Sequence, residues 1–317
     1  MSIRIKIGTR GSPLALAQAK DVKQRLINTH DELTSEGVEI VVIKTTGDRI
    51  LDRHLMSAGG KGLFTKEIEE ALLSGDIDCA VHSCKDMPTQ LPDGLTLSTF
   101  LPREDNRDVF ISPVAKSLND LPEGSLLGTA SLRRRALALR QRPDLKVVTF
   151  RGNVQSRLRK LEAGEAAATF LALAGLNRME MADVATERLD LERFPPAPAQ
   201  GAVTIEIRDD DQKMHSFLAP LHCSITTEQV TAERSFLAAL DGSCRTPIAA
   251  YAIQEGADLV LRGMLLSLDG QTVFERSMRR PREQAEELGT AVGEAIKEDA
   301  GAAFFDQLKQ DIEAAIE

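Results

Sequence analysis

Short apolar segments with strand character alternate with helical stretches from the N-terminus to about residue 210. Ile3, Ile5 and Ile7 share one face of the first segment, and Ser12-Pro13 then supplies a helix N-cap and an N1 proline. The predicted strands cover residues 3–7, 38–43, 76–81, 95–101, 109–112, 126–129, 146–150, 168–172 and 203–208. Further helices are predicted over residues 65–74, 131–142 and 153–163. Alternation of this kind predicts α/β lobes with largely parallel sheets.

Two proline-containing breaks interrupt the alternation, at residues 101–105 and 194–201. Paired breaks predict a middle segment inserted between two chain crossings, with the strand at 203–208 returning to the first sheet. That is the plan of a two-lobed protein with a hinge and a cleft. Two ordinary loops are the alternative.

The order of predicted strands and helices changes after residue 221. One helix (228–240) precedes three strands (248–253, 259–266 and 272–277), and two more helices follow (283–297 and 302–316). This order predicts a small α+β domain. The expected domains are a first lobe of residues 1–101 plus 201–220, a second lobe of residues 102–200, and a C-terminal domain of residues 221–317.

Composition excludes several classes of protein. No apolar run approaches the roughly 18 residues of a membrane span, and Trp is absent with only 4% aromatic residues. A base-stacking platform for nucleic acid is therefore not expected, and the net charge of −9 disfavours a general phosphate-backbone binder. Four cysteines are too few for a disulfide scaffold, and the basic-apolar N-terminus reads as a strand rather than a secretory signal. A cytoplasmic protein with reduced thiols is expected.

Positive charge is nevertheless concentrated in one region. Residues 128–159 carry eight arginines and one lysine against a single aspartate, a net charge of +8 that leaves −17 for the rest of the chain. Ser131 is a predicted N-cap followed by Arg133 and Arg134, and Asn153 is a predicted cap between Arg151 and Arg157. Two arginine-rich helix N-termini predict a pocket for carboxylates or phosphates. Solvated arginines on helix surfaces are the alternative.

The first lobe adds further polar residues at strand ends. Arg10 and Ser12 follow the first strand, and Lys85 and Asp86 follow the strand ending near residue 81, where open α/β sheets bind ligands. An ionised Asp86 in a cationic cleft would offset positive charge developing on a substrate or exchange a proton with a leaving group. Lys61, among three glycines, is expected on a mobile loop over the cleft. His82 and Cys84 lack the further ligands of a metal site, and no metal is predicted.

A cysteine with a different environment lies near residue 244. Cys244 stands in a Gly-Ser-Cys-Arg-Thr-Pro loop after a helix, and Arg245 is expected to raise its thiolate fraction by lowering its pKa. A nucleophilic role in acyl or phosphoryl transfer would need a histidine partner or a phosphate loop, and neither is evident.

Six segments together resemble the porphobilinogen deaminase (hydroxymethylbilane synthase) family, in that family's order along the chain. They are residues 9–15, 59–67, 81–88, 128–134, 151–154 and 242–247. The resemblance implies two periplasmic-binding-protein-like, doubly wound α/β lobes with a hinge, plus the small C-terminal α+β domain. It also implies a transferase that joins four porphobilinogen molecules head to tail with loss of ammonia, giving hydroxymethylbilane for tetrapyrrole and haem biosynthesis.

Residue roles follow from the resemblance position by position. Asp86 matches the catalytic aspartate, Cys244 the thioether attachment of a dipyrromethane cofactor, and Phe64 a residue that packs on a cofactor ring. The matching residues for cofactor and substrate carboxylates are Arg10, Ser12, Lys61, Ser83, Lys85, Thr129, Ser131, Arg133, Arg134, Arg151, Gly152, Arg157, Arg178 and Gln200. Ala199 departs from the family, which usually has glycine before this glutamine, and a stiffer hinge is expected.

The expected partner is therefore the small molecule porphobilinogen, with no nucleic acid, no membrane and a monomeric chain. The rival hypothesis is a non-catalytic two-lobed receptor for an organic polyanion, which would share the arginines and the hinge. Cys244 distinguishes the two, because a receptor has no use for a loop cysteine carrying a pigment precursor.

Overall fold

The computed structural model describes residues 3–49, 65–242 and 246–315. The strands are β1 (Ile5–Thr9), β2 (Val38–Val42), β3 (Cys79–Ser83), β4 (Leu95–Phe100), β5 (Asp108–Ile111), β6 (Leu126–Gly128), β7 (Lys146–Val148), β8 (Ala168–Ala172), β9 (Glu187–Arg188), β10 (Val203–Arg208), β11 (Ile248–Glu255), β12 (Asp258–Leu266) and β13 (Val273–Pro281). The helices are α1 (Pro13–Thr29), α2 (Thr46–Arg49), α3 (Lys66–Leu73), α4 (Leu132–Gln141), α5 (Val154–Glu162), α6 (Leu173–Arg178), α7 (Gln212–Leu218), α8 (Ser224–Ala239) and α9 (Ala285–Ala314).

The first sheet has five strands in the order β2-β1-β3-β10-β4. β1 pairs in parallel with β2 and β3, whereas β10 runs antiparallel to both β3 and β4. The predicted return of residues 203–208 to this sheet is confirmed. Four of the five strands run in the same direction, as the expectation of a largely parallel sheet predicts, and the returning β10 runs against them and makes two antiparallel ladders.

Both faces of the first sheet are covered, as in a doubly wound fold. Alternate side chains of β1 and β3, such as Ile7 and Val81, pack with Val22 and Leu26 of α1. On the opposite face, Ala80 belongs to a cluster with residues of α3. The buried stripe of α1 matches the predicted helical spacing, and burial of this stripe stabilises the helix more than its intrinsic propensity does.

The second sheet repeats this pattern with the order β7-β6-β8-β5-β9. β6 pairs in parallel with β7 and β8, and β5 is antiparallel to β8 and to β9. β5 therefore occupies the place that β10 has in the first sheet. Helix α4 covers one face through Ala136 and Leu137, and α5 and α6 cover the other.

The C-terminal part contains the three-stranded antiparallel sheet β11-β12-β13 with α8 and α9. Its core joins Phe236 of α8, Leu261 of β12 and Leu288 of α9. The two helices predicted at 283–297 and 302–316 are both present within the range of α9 and meet at Gly301, whose φ of 67° and ψ of 163° interrupt the helical backbone. The predicted fold class, two α/β sheets and a small α+β portion, is confirmed.

Two compact units emerge from the backbone packing. One contains residues 1–104 and 201–227, and the other contains residues 105–200 and 228–317. The three-domain division at residues 101, 200 and 220 stays a prediction. Across the part of the chain that the structure describes, no helix has both the length and the apolar character that a membrane crossing requires.

Candidate active site

The carboxyl ends of β1 and β3 define the candidate site in the first unit. The two strands are parallel neighbours, with Ile7 opposite Cys79 and Gly8 opposite Ala80. Ser83 ends β3, and the segments that follow the two strands, residues 10–12 and 84–86, therefore start from the same edge of the sheet. Five predicted site residues leave the sheet there: Arg10, Ser12, Ser83, Lys85 and Asp86.

Helix α1 is fastened to this edge by side-chain hydrogen bonds. Ser12 is its N-cap, as predicted, and its Oγ accepts a hydrogen bond from the Ala15 N–H at 3.3 Å. Gln18, which is only 3% exposed, donates from Nε2 to the Ser83 Oγ at 2.9 Å. The Ser83 hydroxyl is thus oriented by a helix residue that the sequence reading did not include. Nothing local in the sequence indicates a contact across 65 positions.

Asp86 ends a single turn of 3-10 helix that directly follows β3. The Cys84 N–H donates to the Ala202 carbonyl oxygen at 3.0 Å, and the Met87 N–H donates to the Cys84 carbonyl oxygen at 3.1 Å. Cys84 and Met87 are buried on either side, while the Asp86 side chain is exposed. Among the described residues, none makes a hydrogen bond or ion pair with the Asp86 carboxylate. Asp86 therefore stands exposed on a turn whose backbone is fixed by main-chain hydrogen bonds.

His82 points to a different environment from that of Asp86. Its Nε2 lies 3.1 Å from Oε2 of Glu206, and both side chains are buried between β3 and the α3 face. The pair explains why a histidine occurs in an otherwise apolar strand. Residues 3–49, 65–242 and 246–315 contain no group of three or more His, Cys, Asp or Glu that could hold a metal ion.

The carboxyl ends of β6, β7 and β8 define the candidate site in the second unit. These strands are parallel, so the segments that follow them start from one edge of the sheet. Asp108, the first residue of the antiparallel strand β5, pairs with Ala172 and lies at the same edge. The predicted residues on the segments that follow β6, β7 and β8 are Thr129, Ser131, Arg133, Arg134, Arg151, Gly152, Arg157 and Arg178.

The predicted caps are confirmed. Ser131 Oγ accepts from the Arg134 N–H at 3.4 Å, and Asn153 Oδ1 accepts from the Ser156 N–H at 2.9 Å. The Ser131 N–H donates in turn to Thr129 Oγ1 at 3.2 Å, which shapes the approach to α4. Gly152 has a φ of 111°, and a Cβ there would lie 2.1 Å from Ser156 Oγ, so only glycine suits this position.

Arg133 and Arg134 form a buried network with Asp108. Arg133 Nη2 donates to Asp108 Oδ2 and Arg134 Nη2 donates to Oδ1, both at 2.7 Å. Arg133 Nη1 also donates to the Pro195 carbonyl oxygen at 2.7 Å. The two arginines are 4% and 6% exposed and Asp108 is fully buried. Arg133 and Arg134 are therefore not solvated arginines on a helix surface, the alternative interpretation, and their carboxylate-binding role stays a prediction.

Electrostatics in this network favour the ionised form of Asp108. Burial alone raises the pKa of Asp108, but the guanidinium groups of Arg133 and Arg134 outweigh it and hold that pKa well below its usual range. Two cations then face one anion, so the cluster keeps a net positive charge. Among the described residues, the Nε atoms of Arg133 and Arg134 are buried without a hydrogen-bond partner.

Gln200 also donates a hydrogen bond to Asp108. Its Nε2 donates to Asp108 Oδ1 at 2.9 Å and to the Asn106 carbonyl oxygen at 2.8 Å. Asp108 is the main residue that sequence reasoning missed. It precedes the predicted strand 109–112, but no local pattern links it to arginines 25 and 26 positions downstream.

The remaining arginines are more accessible. Burial lowers the pKa of the half-buried Arg151, and Arg157 Nε donates to the Gly152 carbonyl oxygen at 3.0 Å. Arg178 is the last residue of α6, which follows β8 directly. Lys61, Phe64 and Cys244, together with the predicted mobile loop around Lys61, lie outside the described residues. Residues 240–242 carry the chain from α8 towards Cys244, and Asp241 there has a φ of 49°.

Comparisons with known proteins identify the family. The profile described as "Porphobilinogen deaminase, dipyromethane cofactor binding domain" matches residues 5–216, and "Porphobilinogen deaminase, C-terminal domain" matches residues 227–298. A porphobilinogen deaminase of Nitrobacter hamburgensis is 56% identical over 94% of this chain and 94% of its own length. The chloroplastic enzyme of Oryza sativa subsp. japonica is 54% identical over 96% of this chain and 86% of its own length.

Solved structures with a related backbone include two binding proteins. A putative methionine-binding lipoprotein of Bacillus subtilis has a TM-score of 0.43 at 15% identity, covering 69% of this chain and 89% of its own. A nutrient-binding protein of Burkholderia cenocepacia bound to methionine has a TM-score of 0.43 at 19% identity, covering 68% and 90%. No conclusion about this chain follows from such distant similarity.

The family profiles and the high-identity relatives agree with each other along nearly the whole chain. They confirm the predicted family, the predicted enzyme class and the dipyrromethane cofactor, and they do not support the non-catalytic receptor. The chain belongs to the porphobilinogen deaminase family.

Proposed function

We propose that this chain condenses four porphobilinogen molecules into hydroxymethylbilane with Asp86 as its catalytic carboxylate and Cys244 as the attachment point of the cofactor. The observation that carries the residue assignment is the Asp86 carboxylate, exposed on a turn whose backbone is fixed at Cys84 and Met87. A group that stabilises a transition state must be held in place before reaction, and this turn supplies that rigidity.

The second unit has the donor set that a polycarboxylate requires. Each pyrrole of the cofactor carries two carboxylates, and the edge of the second sheet offers arginines with unsatisfied donors. The buried Nε atoms of Arg133 and Arg134 and the net positive charge around Asp108 fit an anionic group nearby. Arg151, Arg157 and Arg178 would hold further carboxylates. When bound, the dipyrromethane supplies the pyrrole carbon to which the first substrate is joined.

The chemistry assigned to Asp86 follows from the charge of the reacting substrate. Porphobilinogen loses ammonia when the bond between its aminomethyl carbon and nitrogen breaks, with a proton delivered to the leaving amine. The remaining pyrrole is positive at its ring nitrogen until the new carbon–carbon bond forms and the displaced ring proton departs. A carboxylate directed at the pyrrole N–H stabilises that cation and is also placed to exchange the proton. Hydrolysis by water then releases the linear hydroxymethylbilane.

Intact mass of the purified holoenzyme tests the proposal. The active protein should exceed its sequence mass by two pyrrole units and gain evenly spaced increments when porphobilinogen is added. Cys244→Ser should show neither, because it lacks the thiol that forms the thioether. Cys223→Ser is the matched control, since Cys223 is a free, partly buried thiol to which no role is assigned, and it should retain both. An active preparation with the bare polypeptide mass would refute the assignment.

Replacing Arg151 by alanine should reduce turnover about tenfold to a hundredfold. A charge-assisted hydrogen bond to a carboxylate contributes about 1.5–3 kcal/mol, and a tenfold change corresponds to about 1.4 kcal/mol. The loss should shrink as salt is raised, since screening weakens the Arg151 contact in the wild type, which the variant lacks. Steady-state kinetics at several salt concentrations measure both effects. Arg159→Ala, an exposed arginine in the last turn of α5, is the control and should behave like the wild type.

We further propose that the chain acts as a monomer in the cytoplasm, without nucleic acid. The location is supported by Cys79 and Cys84, which are buried as free thiols, as a reducing compartment allows. Light scattering of the purified protein and cell fractionation measure these properties.

A further inference from the structure

The buried carboxylate of Glu233 accepts hydrogen bonds from two separate backbone segments of the second unit. Glu233 belongs to α8 and is fully buried. Its Oε2 accepts a hydrogen bond from the Ala199 N–H at 2.6 Å, and its Oε1 accepts one from the Ala252 N–H at 2.8 Å. Burying a carboxylate is costly unless it is well bonded, so this acid indicates a specific task.

One of its two partners has an unusual backbone conformation. Ala199 has a φ of 61°, in the left-handed region that residues other than glycine rarely occupy. Such a conformation persists only where the surroundings enforce it. The hydrogen bond from the Ala199 N–H to Glu233 supplies that enforcement at the strained residue itself.

The segment containing Ala199 leads directly to the arginine pair. We call residues 194–200 the proline segment. It is held to the C-terminal part at two points, by Glu233 and by the Ala250 N–H, which donates to the Pro196 carbonyl oxygen at 3.0 Å. It contacts the arginine network at two others: Pro195 accepts from Arg133, and Gln200 donates to Asp108.

We propose that Glu233 is a positioning residue that sets the arginine pair Arg133 and Arg134 by fixing the backbone of the proline segment at Ala199. The proposal rests on the carboxylate-binding role assigned to these arginines above. With the backbone at Ala199 fixed, the Gln200 amide reaches Asp108 Oδ1, and this oxygen is shared with Arg134. If the backbone at Ala199 relaxes, Asp108 loses the hydrogen bond from the Gln200 amide. We then expect the Asp108 carboxylate to move closer to Arg133 and Arg134. Closer pairing lowers the positive charge that the two arginines offer to a ligand.

Glu233 lies on the helix that leads along the chain to Cys244. Helix α8 ends at Ala239, five residues before Cys244. One helix therefore precedes the cofactor cysteine and also fixes the segment that orders the arginines. The proposed attachment point of the cofactor and the arginines proposed to bind its carboxylates are therefore both linked to α8.

The test uses the holoenzyme of Glu233→Gln, alone and combined with Ala199→Gly. Glu233→Gln should lower kcat/KM for porphobilinogen at least tenfold and flatten its salt dependence, because the arginine charge is less available. Adding Ala199→Gly should recover at least threefold, since glycine adopts a φ of about 60° without enforcement. Ala199→Gly alone should keep normal activity. A role confined to packing α8 against β11 through Ala252 predicts no recovery.

The possible results separate this proposal from the assignment of the arginines. Recovery by Ala199→Gly supports the link through Ala199, and equal loss in the single and double variants overturns it, as does normal activity of Glu233→Gln. Normal activity of both Arg133→Lys and Arg134→Lys would instead overturn the role of the arginines. If Glu233→Gln is insoluble, Ala199→Val tests the link with the carboxylate intact. A β-branched residue opposes this φ, so the same kinetic loss is expected, and normal activity would overturn the proposal.

Discussion

Asp86→Asn is expected to lower kcat by about 10²–10⁴-fold while the cofactor stays attached, which is the range found for a general acid–base or a charge that stabilises a transition state. The amide has almost the shape of the carboxylate but no negative charge, so it does not stabilise a cationic pyrrole. The turn is held by main-chain hydrogen bonds at Cys84 and Met87, so its geometry should survive the substitution. Single-turnover kinetics with porphobilinogen measure the loss.

The matched control for this substitution is Asp93→Asn. Asp93 is an exposed aspartate in the same unit, before β4, and its amide variant should have wild-type turnover. Intact mass should show two pyrrole units on both variants. Turnover within a few-fold of normal in Asp86→Asn would remove this residue from the mechanism.

Asp108→Asn is expected to reduce the free energy of unfolding by about 3–5 kcal/mol and to impair cofactor loading. Removing one partner of a buried ionic network leaves the others uncompensated, and here two guanidinium groups would face each other across an amide. Denaturant unfolding measures the stability change, and intact mass measures the loaded fraction. Asp120→Asn, in an exposed turn of the same unit, should change the unfolding free energy by less than about 0.5 kcal/mol.

The pH dependence of this difference has a definite sign. The arginines lower the pKa of Asp108 in the folded state, so its ionised form contributes stability above its unfolded pKa of about 3.9. That contribution is lost as the pH falls through the lower, folded value. The stability difference between wild type and Asp108→Asn should therefore be constant near neutrality and shrink below about pH 4. A difference that grows on acidification would contradict the ionised assignment.

Local signals predicted much of the fold and part of the site. Ser12, Ser131 and Asn153 cap helices as their residue types indicate, and Gly75 and Gly164 follow helices with a positive φ. These features depend on a few neighbouring residues, so the sequence contains them directly. Because parallel strands share an edge, the predicted strand ends also brought most of the described candidate residues to one edge within each unit, and their roles stay predictions.

Long-range pairings were beyond the reach of the sequence. The bonds of Asp108 to Arg133 and of His82 to Glu206 join residues 25 and 124 positions apart. Helix patterns placed the arginines at an N-terminus but did not reveal that a distant acid draws them inward. The direction of β10 in its sheet was also missed, because periodicity shows burial and not strand polarity.

The order of strands in the first sheet has a consequence for biosynthesis. β10 separates β3 from β4, so β4 has no hydrogen-bonded neighbour in the sheet until residues 203–208 exist. Roughly a hundred intervening residues must leave the ribosome first, which takes about 5–20 s at ordinary elongation rates. During that interval β3 exposes an unpaired edge, the kind of surface on which nascent chains associate. The inserted middle segment thus makes completion of the first sheet wait for most of the second unit's strands to be translated.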